Sequence, residues 1–420
     1  MLSVPNTTRC VLTETDTHTE SRDPESAHPM TNMITVIALL GVLESCLSIA
    51  PSLHLLDPLA AKETGALCLD GSPPGYYFRP GSDNAKWRIH LRGGGWCFDE
   101  RSCLSRSQTS LGTSKFWPKE ITDAANGFMS DDSKTNPDFS HWQLAFIEYC
   151  DGSSYTGNRE EPVQVNDTIL YFRGQRIFDE LLKDMDRRYG LLTNSTDVIL
   201  TGTSAGGLAT YLHADYLRSL LPTTTSYAVY PDAGYFLDHK DVSGSNKILQ
   251  AFMNGYRLWN GTGGTNQACI RETSRSDGWK CFFAPYVYRF IQNTRVFVLN
   301  SLYDSAQISG IFRLGCNPDK QGNCSKKQLD ELQQYRDDMV KALDPVIKSQ
   351  RDGIFATACY QHEESCQDFD WDGVHVNNVS QRQAFGDWYF NRTQPAHSKY
   401  IDVRWPDNKS CKLGIIHGPC

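Results

Sequence analysis

The chain has 420 residues, which suits one large α/β domain with decorations or two smaller domains. With 40% hydrophobic, 11% aromatic and 21% charged residues, it is neither wholly disordered nor collagen-like. A net charge of −8 leaves no broad basic face for phosphates and excludes nucleic acid as a main partner, while 14 dispersed cysteines point to disulfides in an oxidising compartment.

Residues 1–33 read as a polar leader or an over-extended start, with Met30 and Met33 as alternative initiators. In residues 34–50 the run ITVIALLGVLESCLSIA has the length of a signal-peptide core, and Ser48 and Ala50 stand at a cleavage spacing. A signal anchor is the competing reading, made costly by Glu44 and the short run; no later segment approaches a span, so no stable membrane partner is expected. Residues 1–50 hold two basic and six acidic side chains and two cysteines, so the remainder carries a net charge of −4 and an even twelve cysteines. Secretion also agrees with N-glycosylation sequons at Asn166, Asn194, Asn260, Asn378, Asn391 and Asn408, and with a seventh at Asn323 that carries a cysteine in its middle position.

Beyond residue 65 no repeat or long linker divides the chain, and short apolar runs alternate with amphipathic stretches. Trp87 to Leu91 predicts a strand running into glycines, and Leu144 to Tyr149 predicts another. Ile177, Leu181, Met185 and Tyr189 form a helical stripe ended by Gly190. Val198 to Leu200 is the next strand, followed by a stripe of Leu208, Leu212 and Tyr216 that Pro222 closes; Val296 to Leu299 is a further buried strand. This rhythm predicts a mostly parallel sheet with helices on both faces, whose function sits at the carboxyl ends of the strands.

At one such end Gly202-Thr-Ser-Ala-Gly206 carries G-x-S-x-G between a predicted strand and a predicted helix. There a sharp turn lifts Ser204 above the sheet, and the helix start favours negative charge. The competing reading is an ordinary serine at a helix start. Upstream, Gly93, Gly94 and Gly95 end an early strand and match a loop that supplies one oxyanion N–H, with Ala205 supplying another. A phosphate loop is the alternative, and it lacks the Lys-Ser/Thr that should follow. The base should follow an acid in the chain order Ser, Asp or Glu, His. Asp304, just past the Val296–Leu299 run, is the best acid, and Asp232, after the Tyr227–Tyr230 run, is a rival on the same logic. Spacing does not choose between His362 and His375, but His362 follows an apolar approach from Ile354 that resembles a last core strand, whereas His375 lies in an Asp- and Trp-rich stretch more like a surface loop.

The blocks His90-Leu-Arg-Gly-Gly-Gly-Trp-Cys97, Glu148-Tyr-Cys-Asp-Gly-Ser-Ser-Tyr-Thr-Gly157, Thr203-Ser-Ala-Gly-Gly-Leu-Ala209 and Pro231-Asp-Ala-Gly-Tyr-Phe236 resemble the pectin acetylesterase family, which includes the animal Notum carboxylesterases. Cys281-Phe-Phe283, Tyr303-Asp-Ser-Ala-Gln-Ile308, Ala358-Cys-Tyr-Gln-His362 and Gly386-Asp-Trp-Tyr-Phe390 continue the resemblance in order. It implies an α/β-hydrolase core with disulfide-stabilised insertions over residues 65–392 and a disulfide-tied extension at 393–420. It also implies Ser204 as nucleophile, Asp304 as acid and His362 as base, with Gly94, Gly95 and Ala205 at the oxyanion hole and no metal or organic cofactor. Asp232 and His375 then fall to supporting roles.

The chain departs from the family pattern at Arg92, where an acidic residue is expected, at Thr203, and at Glu363, which replaces a cysteine and suggests a disulfide moved to Cys366. The resemblance leaves three readings open. The first is a secreted serine esterase removing acetyl groups from a pectin-like polysaccharide, favoured by the plant-type blocks at Asp304 and Gly386. The second is a Notum-like enzyme removing palmitoleate from Wnt-type proteins. The third is an inactive secreted binding glycoprotein on the same fold.

Overall fold

Val, Ile, Leu and Phe run almost unbroken through the central strands, the pattern of a sheet buried on both faces. The computed structural model describes residues 50–411 except 122 and 275, so the expectations for the leader, the signal segment and the last residues lie outside the described part. All described residues belong to one compact unit. Its strands are β1 (Ser52–Leu55), β2 (Gly75–Arg79), β3 (Asp83–Leu91), β4 (Trp142–Ile147), β5 (Asp197–Thr203), β6 (Ser226–Asp232), β7 (Arg295–Ser301), β8 (Gly353–Thr357) and β9 (Lys399–Ile401). They form a nine-stranded sheet in the order β1-β2-β4-β3-β5-β6-β7-β8-β9. Strands from β4 to β9 are mutually parallel, and β2 alone runs against its neighbours.

Alternation along each central strand feeds two cores. Ile199, Phe297, Leu299 and Phe355 face one core, while Val198, Leu200, Val296, Val298 and Ile354 face the other. The helices that cover these faces include α1 (Glu100–Arg106), α2 (Gly174–Tyr189), α3 (Ala205–Leu220), α4 (Lys247–Trp259), α5 (Lys326–Lys348) and α6 (Gln381–Tyr389). In α2 the predicted stripe is buried at Ile177, Leu181 and Met185, and Gly190 ends the helix in the left-handed conformation, φ 75°. In α3 the stripe is corrected: Leu208 and Leu212 are buried, but Tyr216 is 37% exposed and donates its hydroxyl to Asp179 at 2.7 Å.

Two strand expectations also shift. β4 ends at Ile147, so Glu148 and Tyr149 have already left the sheet at the strand's carboxyl end. The run from Ile354 forms β8, the last fully buried strand, but it is not the edge of the sheet: the half-buried β9 adds beyond it in parallel, from residues outside the blocks that carry the resemblance. Five disulfides join Cys68 to Cys150, Cys97 to Cys103, Cys269 to Cys281, Cys316 to Cys324 and Cys359 to Cys411. Cys366 is disulfide-bonded as well. Among the described residues, no helix is long and apolar enough to cross a membrane.

Candidate active site

The turn after β5 places Ser204 at φ 55° and ψ −119°, a strained conformation for a residue with a Cβ. Its strain is held from both sides, since its N–H donates to the Asp232 carbonyl at 3.0 Å and its carbonyl accepts from Leu208 N–H at 2.9 Å. Gly206 makes this turn possible: a Cβ there would lie 1.9 Å from the Leu91 carbonyl oxygen, so only glycine lets α3 start against β3. Ser204 is 8% exposed and borders a large cavity.

The next strands deliver the other groups to the same edge. Asp304 stands three residues past β7, fully buried; its Oδ1 accepts from the Gln307 N–H at 2.9 Å, and its Oδ2 lies 3.0 Å from His362 Nδ1. His362 follows β8 and lines the same cavity as Ser204. Burial disfavours its imidazolium, but the charge and hydrogen bond of Asp304 outweigh this and raise its pKa to about 9. Asp232 is the last residue of β6 and does not pair with the imidazole. Its Oδ2 instead accepts the N–H groups of Glu364 at 2.8 Å and Ser365 at 2.7 Å, so it anchors the chain just past His362. Burial pushes the Asp232 carboxyl up to about 7 despite those two donors. His375 is exposed, bonded to the Gly373 carbonyl at 2.9 Å, and does not line the cavity.

Beside Ser204 the glycine loop leaves β3, where a Cβ at Gly93 would lie 2.9 Å from Ser204 Cβ, and continues with Gly94 at φ 129° and Gly95 at φ 65°, conformations that side chains avoid. Among the described residues, the N–H groups of Gly94, Gly95 and Ala205 donate to no other protein group. A network that sequence reading assigned no role fixes these elements to one another. Tyr149 Oη donates to the Gly95 carbonyl at 2.9 Å and accepts from Ser154 N–H at 2.8 Å. Ser154 Oγ donates to the Ala205 carbonyl at 2.7 Å and accepts from Trp96 Nε1 at 2.7 Å. Arg92, the departure ahead of the glycines, is paired with Glu148 at 2.7 Å.

The cavity measures about 960 Å³ and its walls are largely apolar: Trp96, Phe98, Phe236, Ile248, Phe252 and Ile311. Trp96 meets Phe236 and Phe252 edge-on, each with ring centroids 4.9 Å apart. Elsewhere on the surface the sequon asparagines at Asn166, Asn194, Asn260, Asn323, Asn378 and Asn391 are exposed. Asn408 is half-buried, its amide nitrogen donating to Asp402 at 2.6 Å and its oxygen accepting from Ser410 N–H at 2.8 Å; the amide nitrogen of Asn260 is also engaged, donating to the Asn158 carbonyl at 3.0 Å.

A parallel sheet with a serine at a strained strand-to-helix turn defines an α/β-hydrolase. The family model described as Pectinacetylesterase matches residues 50–412, and the chain belongs to that family, whose members named below are carboxylic-ester hydrolases. The chain is 35% identical over 367 residues to Pectin acetylesterase 5 of Arabidopsis thaliana, covering 84% of this chain and 83% of that protein. It is 32% identical over 340 residues to the palmitoleoyl-protein carboxylesterase NOTUM of Schmidtea mediterranea, covering 77% of this chain and 60% of the relative. The crystal structure of the Wnt deacylase Notum from Drosophila superposes with a TM-score of 0.75 at 24% identity, over 87% of this chain and 100% of that one, and supports the fold.

Proposed function

We propose that this chain is a secreted serine carboxylesterase that removes acetyl groups from a pectin-like polysaccharide, with Ser204 as nucleophile, His362 as general base and Asp304 as the acid that orients it. The observation that carries the reading is the meeting, at one cavity, of a serine on a strained turn, an imidazole bonded to a buried carboxylate, and unpaired backbone N–H groups. In the reaction His362 takes the Ser204 proton as Oγ attacks the ester carbonyl, and Asp304 stabilises the imidazolium. The N–H groups of Gly94, Gly95 and Ala205 receive the oxyanion. Collapse breaks the ester bond as the imidazolium returns its proton to the leaving sugar oxygen, and water, deprotonated by the neutral His362, then attacks the acyl-enzyme to release acetate and restore Ser204.

The acetyl substrate is supported by the plant relatives, which this chain matches at 34–35% identity over 83–92% of their length. Export is supported by the disulfides and the exposed sequon asparagines. The long-chain reading retains one specific support, an apolar cavity of about 960 Å³ that exceeds what an acetyl group fills.

The test is hydrolysis of p-nitrophenyl acetate together with labelling by a fluorophosphonate. Ser204→Ala should abolish labelling and lower kcat by about 10⁴-fold or more, with the thermal transition retained. Wild-type activity in that variant overturns the assignment. Specificity then follows from kcat/KM across acyl lengths and from acetate release on acetylated pectin: a value that rises with chain length replaces the acetyl reading with the long-chain one.

A further inference from the structure

We propose that Arg106 is a positioning residue that holds the Gly94–Gly95 peptide with the Gly95 N–H turned toward the reacting carbonyl; this rests on the reading of Ser204 as the nucleophile of an ester hydrolase. A trans peptide is planar and its C=O and N–H point in opposite directions, so whatever grips the Gly94 oxygen aims the Gly95 nitrogen. Arg106 Nη1 donates to that oxygen at 2.9 Å. Such a grip is needed here. Packing bounds this peptide on one side only: a Cβ at Gly94 would lie 2.7 Å from Leu111 Cδ2, but a Cβ at Gly95 would meet nothing within 4 Å, and glycine backbones rotate with little steric penalty.

Arg106 is itself held on several sides. Its Nε donates to the Leu111 carbonyl at 2.9 Å, and its guanidinium carbon lies 4.8 Å from the centre of the Tyr149 ring. Gly152 leaves room for it, since a Cβ there would come within 3.2 Å of Arg106 Cδ and 2.8 Å of Cys97 Sγ. Arg106 is the last residue of α1, and the Cys97–Cys103 disulfide ties that short helix to the chain leaving the glycine loop. The tyrosine beneath the guanidinium grips the next carbonyl, that of Gly95. Two successive carbonyls of the loop are thus held by a stacked Arg-Tyr pair, and the guanidinium charge polarises the Gly94–Gly95 peptide so that its N–H becomes a better donor.

The experiment compares wild type with Arg106→Ala, Arg106→Lys and Tyr149→Phe in the full chain, with rates normalised to active sites titrated by a fluorophosphonate. Readouts are kcat and KM for p-nitrophenyl acetate and the affinity of a trifluoromethyl ketone, which forms a tetrahedral adduct on the serine. Arg106→Ala should lower kcat by about 10- to 100-fold and weaken the ketone by a similar factor, with KM changed less than about twofold. Ethylguanidinium added to that variant should restore part of the rate, and Arg106→Lys should fall between the two. If Arg106→Ala does not fold, Arg106→Lys and Tyr149→Phe carry the same test. The proposal is overturned if kcat per titrated site and ketone affinity stay within about twofold of wild type, or if kcat falls with ketone affinity intact. Turnover that survives Ser204→Ala removes the underlying reading as well; turnover lost with Ser204→Ala but unchanged in Arg106→Ala removes the proposal alone.

Discussion

At His362 two opposing effects meet, and their balance sets both chemistry and stability. Burial alone would keep the ring neutral, whereas Asp304 at 3.0 Å favours the charged form, and the pKa rises from 6.5 to about 9. Because the folded value exceeds the unfolded one, the folded state binds the proton more tightly. The stabilisation is therefore fully present below about pH 6.5 and is lost as pH rises through about 9. In the proposed role of base the ring must be neutral, so kcat/KM should climb along an alkaline limb that follows the same group. Asp304→Asn keeps the shape but removes the charge. It should lower kcat by about 10⁴-fold and move the limb to lower pH. The stability difference between wild type and variant should shrink from about pH 6 to pH 10. A pH–rate profile and urea denaturation at both ends of that range check this; an unmoved limb would show that Asp304 does not govern the imidazole.

The element that carries His362 is the turn after β8, and its position depends on the end of β6. Asp232 accepts two backbone N–H groups from residues 364 and 365, so removing the side chain strands two buried donors. Asp232→Ala should cost about 2–5 kcal/mol and reduce kcat as the turn loosens. Asp232→Asn retains an oxygen for both donors and should restore most of each loss. It should also abolish the loss of stability that the wild type suffers between about pH 4 and 7, where the unfolded carboxyl gives up its proton while the buried one, raised to about 7, still holds it. Denaturation and kcat for the two variants side by side provide the measurement. The same turn explains which parts of the site were legible. The strand-to-helix step at Ser204 is local and shows as an apolar run, a glycine-flanked serine and a second periodicity. Asp304 and Asp232 stand on the same logic in the sequence, one just past a strand and the other at a strand's end; only the third dimension gives one the imidazole and the other the backbone. Tyr149 and Ser154 bond to atoms 54 and 51 residues away, so no local pattern gives them a role. Arg88 puts a charged residue inside the predicted Trp87 to Leu91 strand, and no sequence pattern gives its place: it is fully buried, with Nη1 donating to the Phe128 and Ser130 carbonyls and Nη2 to those of Ser140 and Trp142.

At the scale of the molecule, the disulfides connect the sheet's active edge to distant parts of the chain. Cys359 stands three residues before His362 and joins Cys411 across 52 residues. The intervening segment supplies β9 and also Asp402, whose Oδ2 accepts from the Ala358 N–H at 2.8 Å. The C-terminal segment is thus a brace for the turn that carries His362. Cys97–Cys103 spans only 6 residues, but it sits between the glycine loop and Arg106. Loop-closure entropy separates the two bridges: the long one constrains the unfolded chain by about 4 kcal/mol and the short one by about 2 kcal/mol. Replacing both cysteines by serine at 359 and 411 should therefore cost roughly twice the stability of the same change at 97 and 103. Activity per titrated site should show the opposite emphasis for the oxyanion step. The 97/103 variant should lose trifluoromethyl ketone affinity as Arg106 loses its tether, whereas the 359/411 variant should keep that affinity relative to its rate while its base-dependent limb broadens. Urea denaturation of each variant, with the remaining disulfides intact, measures the first comparison, and ketone inhibition against pH measures the second. Equal losses of stability from the two bridges would mean that native-state contacts, rather than restriction of the unfolded chain, set the stabilisation they provide.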